Sequence, residues 1–229
     1  KVAAVTSPDP AALREFVTGF GAGSCFAVTA DSVTSTSASV TALGTAQTSQ
    51  SFSDAFRQKA GFPAAVTLDS VSEQQCGLVT ALRRMSVSEA PPLKLTLSKP
   101  EIRGADTGVT GDPLTVKVTG AGERNIYLFV MDDDGGIQYI NRSCASCITM
   151  KEGEIEAGLS LSVRTKVEGE ARPPFFPMLV FAVASSRPLV SFSGQDAFEA
   201  DDFITPFLTE IANARNVATA VAYLKLRDP

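Results

Sequence analysis

Four cysteines, Cys25, Cys76, Cys144 and Cys147, carry the side chains whose type and spacing bear most directly on chemistry. Two are far apart in sequence, and two form a close Cys-Ala-Ser-Cys run. Four oxidised cysteines admit three pairings, and the simplest joins Cys25 to Cys76 and Cys144 to Cys147. In the chain-entropy picture the first bridge closes a loop of about 50 residues and contributes roughly 4 kcal/mol, whereas the second closes a tiny loop and contributes roughly 2 kcal/mol. Three other readings stand beside this one. A Cys-x-x-Cys is also a redox motif, although thioredoxin-type sites open a helix after a strand within a βαβ pattern. Here the strand-like Ile137–Asn141 precedes Cys144, and Ile148-Thr149-Met150 continues in β style, which favours a loop or hairpin staple. Zinc would need all four thiolates, or two with carboxylates, and the second Cys-x-x-Cys of such sites is missing. Reduced, inert thiols in a cytosolic protein are the remaining reading. Bridges would put the chain in an oxidising compartment, periplasmic or secreted.

Histidine is absent, which removes the commonest general base and the commonest metal ligand together. Catalysis would rest on carboxylates, Lys, Tyr, Ser or Cys, so the chain is expected to be no enzyme and to need no cofactor. The sharpest polar run is Met131-Asp132-Asp133-Asp134-Gly135-Gly136. Asp132 and Asp134 are weak candidates for a hard cation such as calcium, but the spread ligands and closing Glu of an EF-hand loop do not follow. The competing reading is a hairpin turn in which Asp-Gly supplies positive φ and Asp132 orients the turn.

Ser185 and Ser186 end an apolar run and resemble a nucleophile only superficially, since no Ser-x-x-Lys accompanies them. Residues Gly19 to Gly23 look like a phosphate loop but follow a helical pattern and lack the Lys-Ser/Thr ending. Asn141-Arg142-Ser143 matches a glycosylation acceptor. Phe175 and Phe176 lie among prolines and have two readings: an exposed contact loop, or rings that plug the end of a core.

These groups must be positioned by a chain of 229 residues, long enough for one large domain or two ordinary ones. A hydrophobic share of 44% with 20% charged residues is ordinary for a globular protein. The formal net charge of −5 and the lack of a basic cluster argue against nucleic acid as a partner. No run approaches the roughly 20 apolar residues of a membrane helix. The start at Lys1 reads as a mature form or an excised fragment, which leaves a leader or membrane anchor upstream open.

Along the chain, Asp9-Pro10 starts a helix with Leu13, Phe16, Val17 and Phe20 on one face. Strands are expected from Cys25 and, as one strand or a hairpin, over Ser32–Leu43. A helix over Ser51–Lys59 is expected with Ser51 or Ser53 as its cap, then a strand over Ala65–Val71 and a helix over Cys76–Met85 with a Ser72/Gln75 capping box. Ser86–Pro92 reads as a linker. Beyond it, strands are expected over Leu93–Leu97, Leu114–Val118, Asn125–Met131, Ile137–Asn141, Leu159–Arg164 and Met178–Ala184. A helix capped by Asp201-Asp202, with Pro206 in its first turn, and a strand over Val217–Leu226 complete the chain. The expected class is α+β: a small α+β domain over 1–86, then an antiparallel β-sandwich-like domain over 93–229 with a C-terminal helix and strand.

Two stretches carry a family resemblance. Arg14-Glu15-Phe16-Val17, Gly23-Ser24-Cys25-Phe26-Ala27-Val28, Phe52-Ser53-Asp54-Ala55-Phe56-Arg57, Gly61-Phe62 and Val71-Ser72-Glu73-Gln74-Gln75-Cys76 resemble the C-terminal region of certain alphaproteobacterial serine/threonine kinases and caspase-like proteins. Ile126-Tyr127-Leu128-Phe129-Val130-Met131-Asp132-Asp133-Asp134-Gly135, Ile140-Asn141 and Phe181-Ala182-Val183-Ala184-Ser185-Ser186-Arg187-Pro188-Leu189 are similar to a β-rich domain of unknown function fused to the same enzymes. The resemblance implies an extracytoplasmic region attached to a separate catalytic domain, and its paired cysteines match Cys25 and Cys76. It supplies no catalytic or ligand-binding residues. The Gly-rich loop with its strand Lys, His-Arg-Asp and Asp-Phe-Gly of a kinase, and a His/Cys dyad, are all absent from this sequence.

The functional expectation is therefore a non-enzymatic sensor or protein-interaction module of a larger bacterial envelope protein, with another envelope protein or a ligand as partner. The alternative is a small secreted hydrolase using Ser or carboxylate chemistry, and a third reading is a structural spacer.

Overall fold

The computed structural model describes residues 8–21, 25–85, 91–106, 109–162, 173–191, 193–212, 214 and 216–229, without the side chains of 83–85. The chain divides into two compact units, Lys1–Val71 and Ser72–Pro229.

The first unit runs α1 (Pro10–Gly19), β1 (Phe26–Val33), β2 (Ala38–Gly44), α2 (Ala46–Ala60) and β3 (Ala65–Ser70). Asp9 caps α1 by accepting from the Ala11 N–H, with Pro10 in the first turn as expected. The Ser32–Leu43 stretch is a hairpin, β1 antiparallel to β2, and α2 then carries the chain over to β3, which lies parallel to β2. Phe16, Phe20, Phe26, Phe52 and Phe56 interlock beneath the two helices, with the Phe20 and Phe52 centroids 5.1 Å apart edge to face. Helix α2 starts earlier than the expected caps. Thr45 and Thr48 form its capping box, while the hydroxyls of Ser51 and Ser53 donate back to the Gln47 and Ser49 carbonyls. A mid-helix serine can satisfy itself in this way and so mimics a cap in sequence.

The second unit opens with α3 (Glu73–Met85) and continues with β4 (Lys94–Leu97), β5 (Glu101–Arg103), β6 (Leu114–Thr119), β7 (Asn125–Met131) and β8 (Gly136–Tyr139). A short helix α4 (Ile140–Ser143) and a 3-10 turn (Ala145–Cys147) follow, then β9 (Ile148–Lys151), β10 (Glu154–Leu159), β11 (Phe176–Ser185), β12 (Ala197–Glu199), α5 (Ala200–Ala212) and β13 (Ala218–Arg227). The strands form a four-stranded sheet, β4-β6-β10-β9, and a six-stranded sheet, β12-β8-β7-β11-β13-β5. Side chains of β6 and β10 meet Leu128, Val130, Val180, Ala182 and Leu224 in one core. On the opposite face of the larger sheet, Phe129 and Phe181 stack 4.9 Å apart beneath Phe203 of α5. Strands β7 and β11 are thus buried on both faces, which explains their unbroken apolar character.

Four expectations need correction. The division falls before α3 rather than in the 86–92 segment, of which 86–90 lie outside the described residues. Gln75 explains why: it is 0% exposed, and its side-chain nitrogen donates to the Asp132 and Pro177 carbonyls of the β-rich unit. The sandwich is not wholly antiparallel, because β13 and β5 pair in parallel at one edge. The strand expected over Leu159–Arg164 meets the observed β10, Glu154–Leu159, only at Leu159, and its residues 163–164 lie outside the described residues. Pro206 sits inside α5 rather than in its first turn, and it has no N–H for the carbonyl four residues back.

Candidate functional site

Asp132 and Asp134 lie where β7 turns into β8, Asn141, Cys144 and Cys147 follow β8 along α4 and the 3-10 turn, and Ser185, opposite Asn125, lies at the other end of β7. Between β7 and β8 the chain reverses at Asp132–Gly135. Asp132 Oδ1 accepts from the N–H groups of Asp134 at 3.1 Å and Gly136 at 2.7 Å, and Gly135 takes φ 98°. An L side chain is strained at that angle, so glycine closes the turn. Asp132 therefore organises the hairpin, and Asp134 is exposed. Among the described residues no group of three or more Cys, Asp or Glu side chains is placed to hold a metal ion.

After β8 the Asn141 side chain takes over the role of a strand neighbour. Its Oδ1 accepts from the Leu128 N–H at 2.7 Å and its Nδ2 donates to the Ile126 carbonyl at 2.9 Å. The amide that a glycosylation acceptor would offer is thus committed to the β7 backbone. Arg142 pairs with Asp196 at 2.8 Å on the surface, a contact of small stabilising value in water. Cys144 and Cys147 form a disulfide, and Cys25 and Cys76 are also disulfide-bonded.

Of the remaining candidates, Ser185 holds backbone as well. Ser185 is buried, and its hydroxyl accepts from the Arg187 N–H at 3.3 Å. Phe176 is 2% exposed and belongs to the sandwich core. Phe175 is half-buried with Lys225 Nζ 5.1 Å from its ring centroid, a cation–π arrangement. The pair is therefore not an exposed contact loop: alternation along the start of β11 turns one ring inward and lays the other under a lysine. The Gly19–Gly23 run passes the end of α1, and 22–24 lie outside the described residues.

A groove of about 1040 Å3 opens beside β8 and β12, with Asp132, Gln138, Ser160, Asp196, Glu199 and Asp202 among its lining residues. Ser191 also lines it and donates its hydroxyl to Glu210 of α5. The same carboxylate accepts from the Val190 N–H at 2.6 Å and the Ser191 N–H at 2.9 Å. Burial raises the Glu210 carboxyl, but the Ser191 hydroxyl and then the two N–H groups outweigh it and hold it below the ordinary value of 4.5. A carboxylate so stabilised is a weak base for activating a hydroxyl. Close by, Tyr127 is buried and accepts the Leu189 N–H at 2.7 Å. Tyr139 stacks on Phe129 at 4.9 Å. Burial, and then the neighbouring Tyr127, push the Tyr139 phenol up to about 12 against the opposing pull of Arg142.

Ser191, Glu210, Tyr127 and Tyr139 were not singled out from sequence, because no local spacing links them; they converge only through the order of strands in the larger sheet. No protein-family model and no curated protein matches the chain.

Proposed function

We propose that this chain is a non-catalytic sensor or protein-interaction module of a larger bacterial envelope protein, such as the periplasmic part of a transmembrane serine/threonine kinase. The carrying observation is how its polar side chains are employed. Asp132, Asn141, Ser185, Gln75 and Glu210 each hold backbone groups in place. That use supports a rigid recognition surface more than a reaction centre. The four disulfide-bonded cysteines support an oxidising compartment. No helix among the described residues is long and apolar enough to cross a membrane. The hydroxyl, amide and carboxylate groups of the groove suit a polar partner surface, and the family resemblance of the two quoted stretches agrees with attachment to an enzyme elsewhere on a longer polypeptide.

The test is an activity screen of the purified protein against ester, peptide and glycan substrates, run with thiol counting on material isolated from the envelope fraction. No turnover and no free thiol are expected. Reproducible turnover abolished by Ser191→Ala would establish the hydrolase alternative, and four free thiols would remove the extracytoplasmic assignment.

A further inference from the structure

The corner that carries Cys144 and Cys147 joins the two sheets of the second unit: β8 belongs to the six-stranded sheet and β9 to the four-stranded one. Both cysteines are half-exposed, and their neighbours Arg142, Ser143, Ala145 and Ser146 are exposed. The backbone on either side is held without the sulfur bond. Upstream, Asn141 grips Leu128 and Ile126. Within the corner, the Cys144 N–H donates to the Ile140 carbonyl and the Cys147 N–H to the Cys144 carbonyl. Downstream, β9 is paired along its length with β10. Disulfide stabilisation grows with the logarithm of the loop closed, and here the sequence separation is 3, so this bond contributes among the least that a bridge can.

We propose that Cys144–Cys147 is a thiol–disulfide exchange site, opened and closed in the folded protein by a dithiol reductant. Cys147 packs against the sandwich core, which leaves Cys144 Sγ as the accessible electrophile. A thiolate of the reductant attacks that sulfur, the Sγ–Sγ bond breaks, and Cys147 departs as a thiolate that takes a proton from water. The reductant's second thiol, deprotonated, then attacks its own sulfur in the mixed disulfide and releases Cys144. Two electrons pass to the cysteine pair, and the dithiol leaves as a disulfide. The site thus goes beyond the interaction role and stands independently of it.

The experiment exposes the oxidised full chain to dithiothreitol in one arm and to a thioredoxin-fold reductase in the other, with timed alkylation read by peptide mass spectrometry. Near-ultraviolet circular dichroism follows the tyrosines in parallel. Cys144 and Cys147 are expected to label about tenfold or more faster than Cys25 and Cys76 while the tyrosine signal stays constant. A reductase lacking its second cysteine is expected to be trapped on Cys144. Selective opening by the reductase alone identifies a protein dithiol as the source, and equal opening by both reagents identifies dithiols in general. Labelling of all four cysteines together, or only with loss of the tyrosine signal, overturns the proposal. So does failure of the Cys144→Ser/Cys147→Ser double variant to fold, because the bridge would then be a structural requirement.

Discussion

Replacing Gln75 with leucine is the sharpest test of how the second unit is assembled. Gln75 is 0% exposed and joins three parts of the chain through one amide. Its Oε1 accepts from the Ser72 N–H at 3.1 Å, and Ser72 in turn accepts from the Gln75 N–H, closing the capping box of α3. Its Nε2 donates to the Asp132 carbonyl at 3.1 Å and the Pro177 carbonyl at 2.9 Å. Leucine nearly keeps the volume and removes the three bonds of the Gln75 side-chain amide, leaving the bond from its N–H to Ser72. A buried acceptor left without its donor costs about 1–3 kcal/mol. The Pro177 carbonyl is assigned that loss, and the Asp132 carbonyl less, because it also accepts from the Gly135 N–H. Weakening the cap adds about 1 kcal/mol. The expected loss is about 3 kcal/mol, a fall in Tm of about 6–12 °C for a chain of this size.

Tyrosine fluorescence is the suitable probe, since Tyr127, Tyr139 and Tyr223 all lie in the second unit and the chain has no tryptophan to mask them. The control is Gln74→Ala, an exposed neighbour on the same helix, expected to stay within about 0.5 kcal/mol. If urea unfolding of Gln75→Leu falls within about 1 kcal/mol of the unsubstituted protein, the Gln75 bridge contributes nothing to the union of α3 with the β-rich unit, and the reasoning fails.

Three further outcomes follow from the same geometry. Asp132→Ala should destabilise the β7–β8 hairpin by about 1–2 kcal/mol, while Asp132→Asn, which keeps an acceptor at Oδ1, should stay close to the parent in the same urea titration. Because the folded-state carboxyl of Glu210 lies below its ordinary value, its stabilising contribution is present above the unfolded-state value of 4.5 and is lost as pH falls through the folded-state value. Glu210→Gln should accordingly flatten the acid limb of a stability-versus-pH curve read by tyrosine fluorescence. Alkaline absorbance titration should find one of the three tyrosines ionising near 12 rather than at the ordinary 10. Since Tyr139 is raised in the folded state, its contribution is complete below 10 and declines as pH rises towards 12, a decline that Tyr139→Phe should abolish.

The order of elements was legible where local chemistry and burial agree. Asp9-Pro10 marks the start of α1, Ser72 with Gln75 marks α3, and β7 occupies Asn125–Met131 as its apolar run indicates. Alternation failed where strands are short: β5 and β12, with three residues each, offer too few positions for a period-two pattern to register. Pairing was less accessible still. Nothing local in Glu101–Arg103 announces that it will lie parallel to a strand more than a hundred residues later. The same holds for the site. Asp132 was readable as a turn organiser from its Gly-Gly sequel, but the Glu210 clamp on Val190 and Ser191 depends on where α5 lands over the sheet. Ser51 and Ser53 misled because a serine's preference for helix caps and its ability to bond back to the preceding turn look identical in sequence.

The place of β13 has a consequence for how the second unit forms. This strand is inserted between β11 and β5, although it is the last strand of the unit in chain order. Until residues 218–227 emerge, one edge of β11 has no neighbour, and its side chains are apolar on both faces. A growing chain therefore carries an open, adhesive ribbon edge from the completion of β11 until β13 emerges, and native pairing waits on contacts of long sequence separation, which form slowly. Such delayed closure makes loss of β13 a route to aggregation rather than to a smaller folded domain.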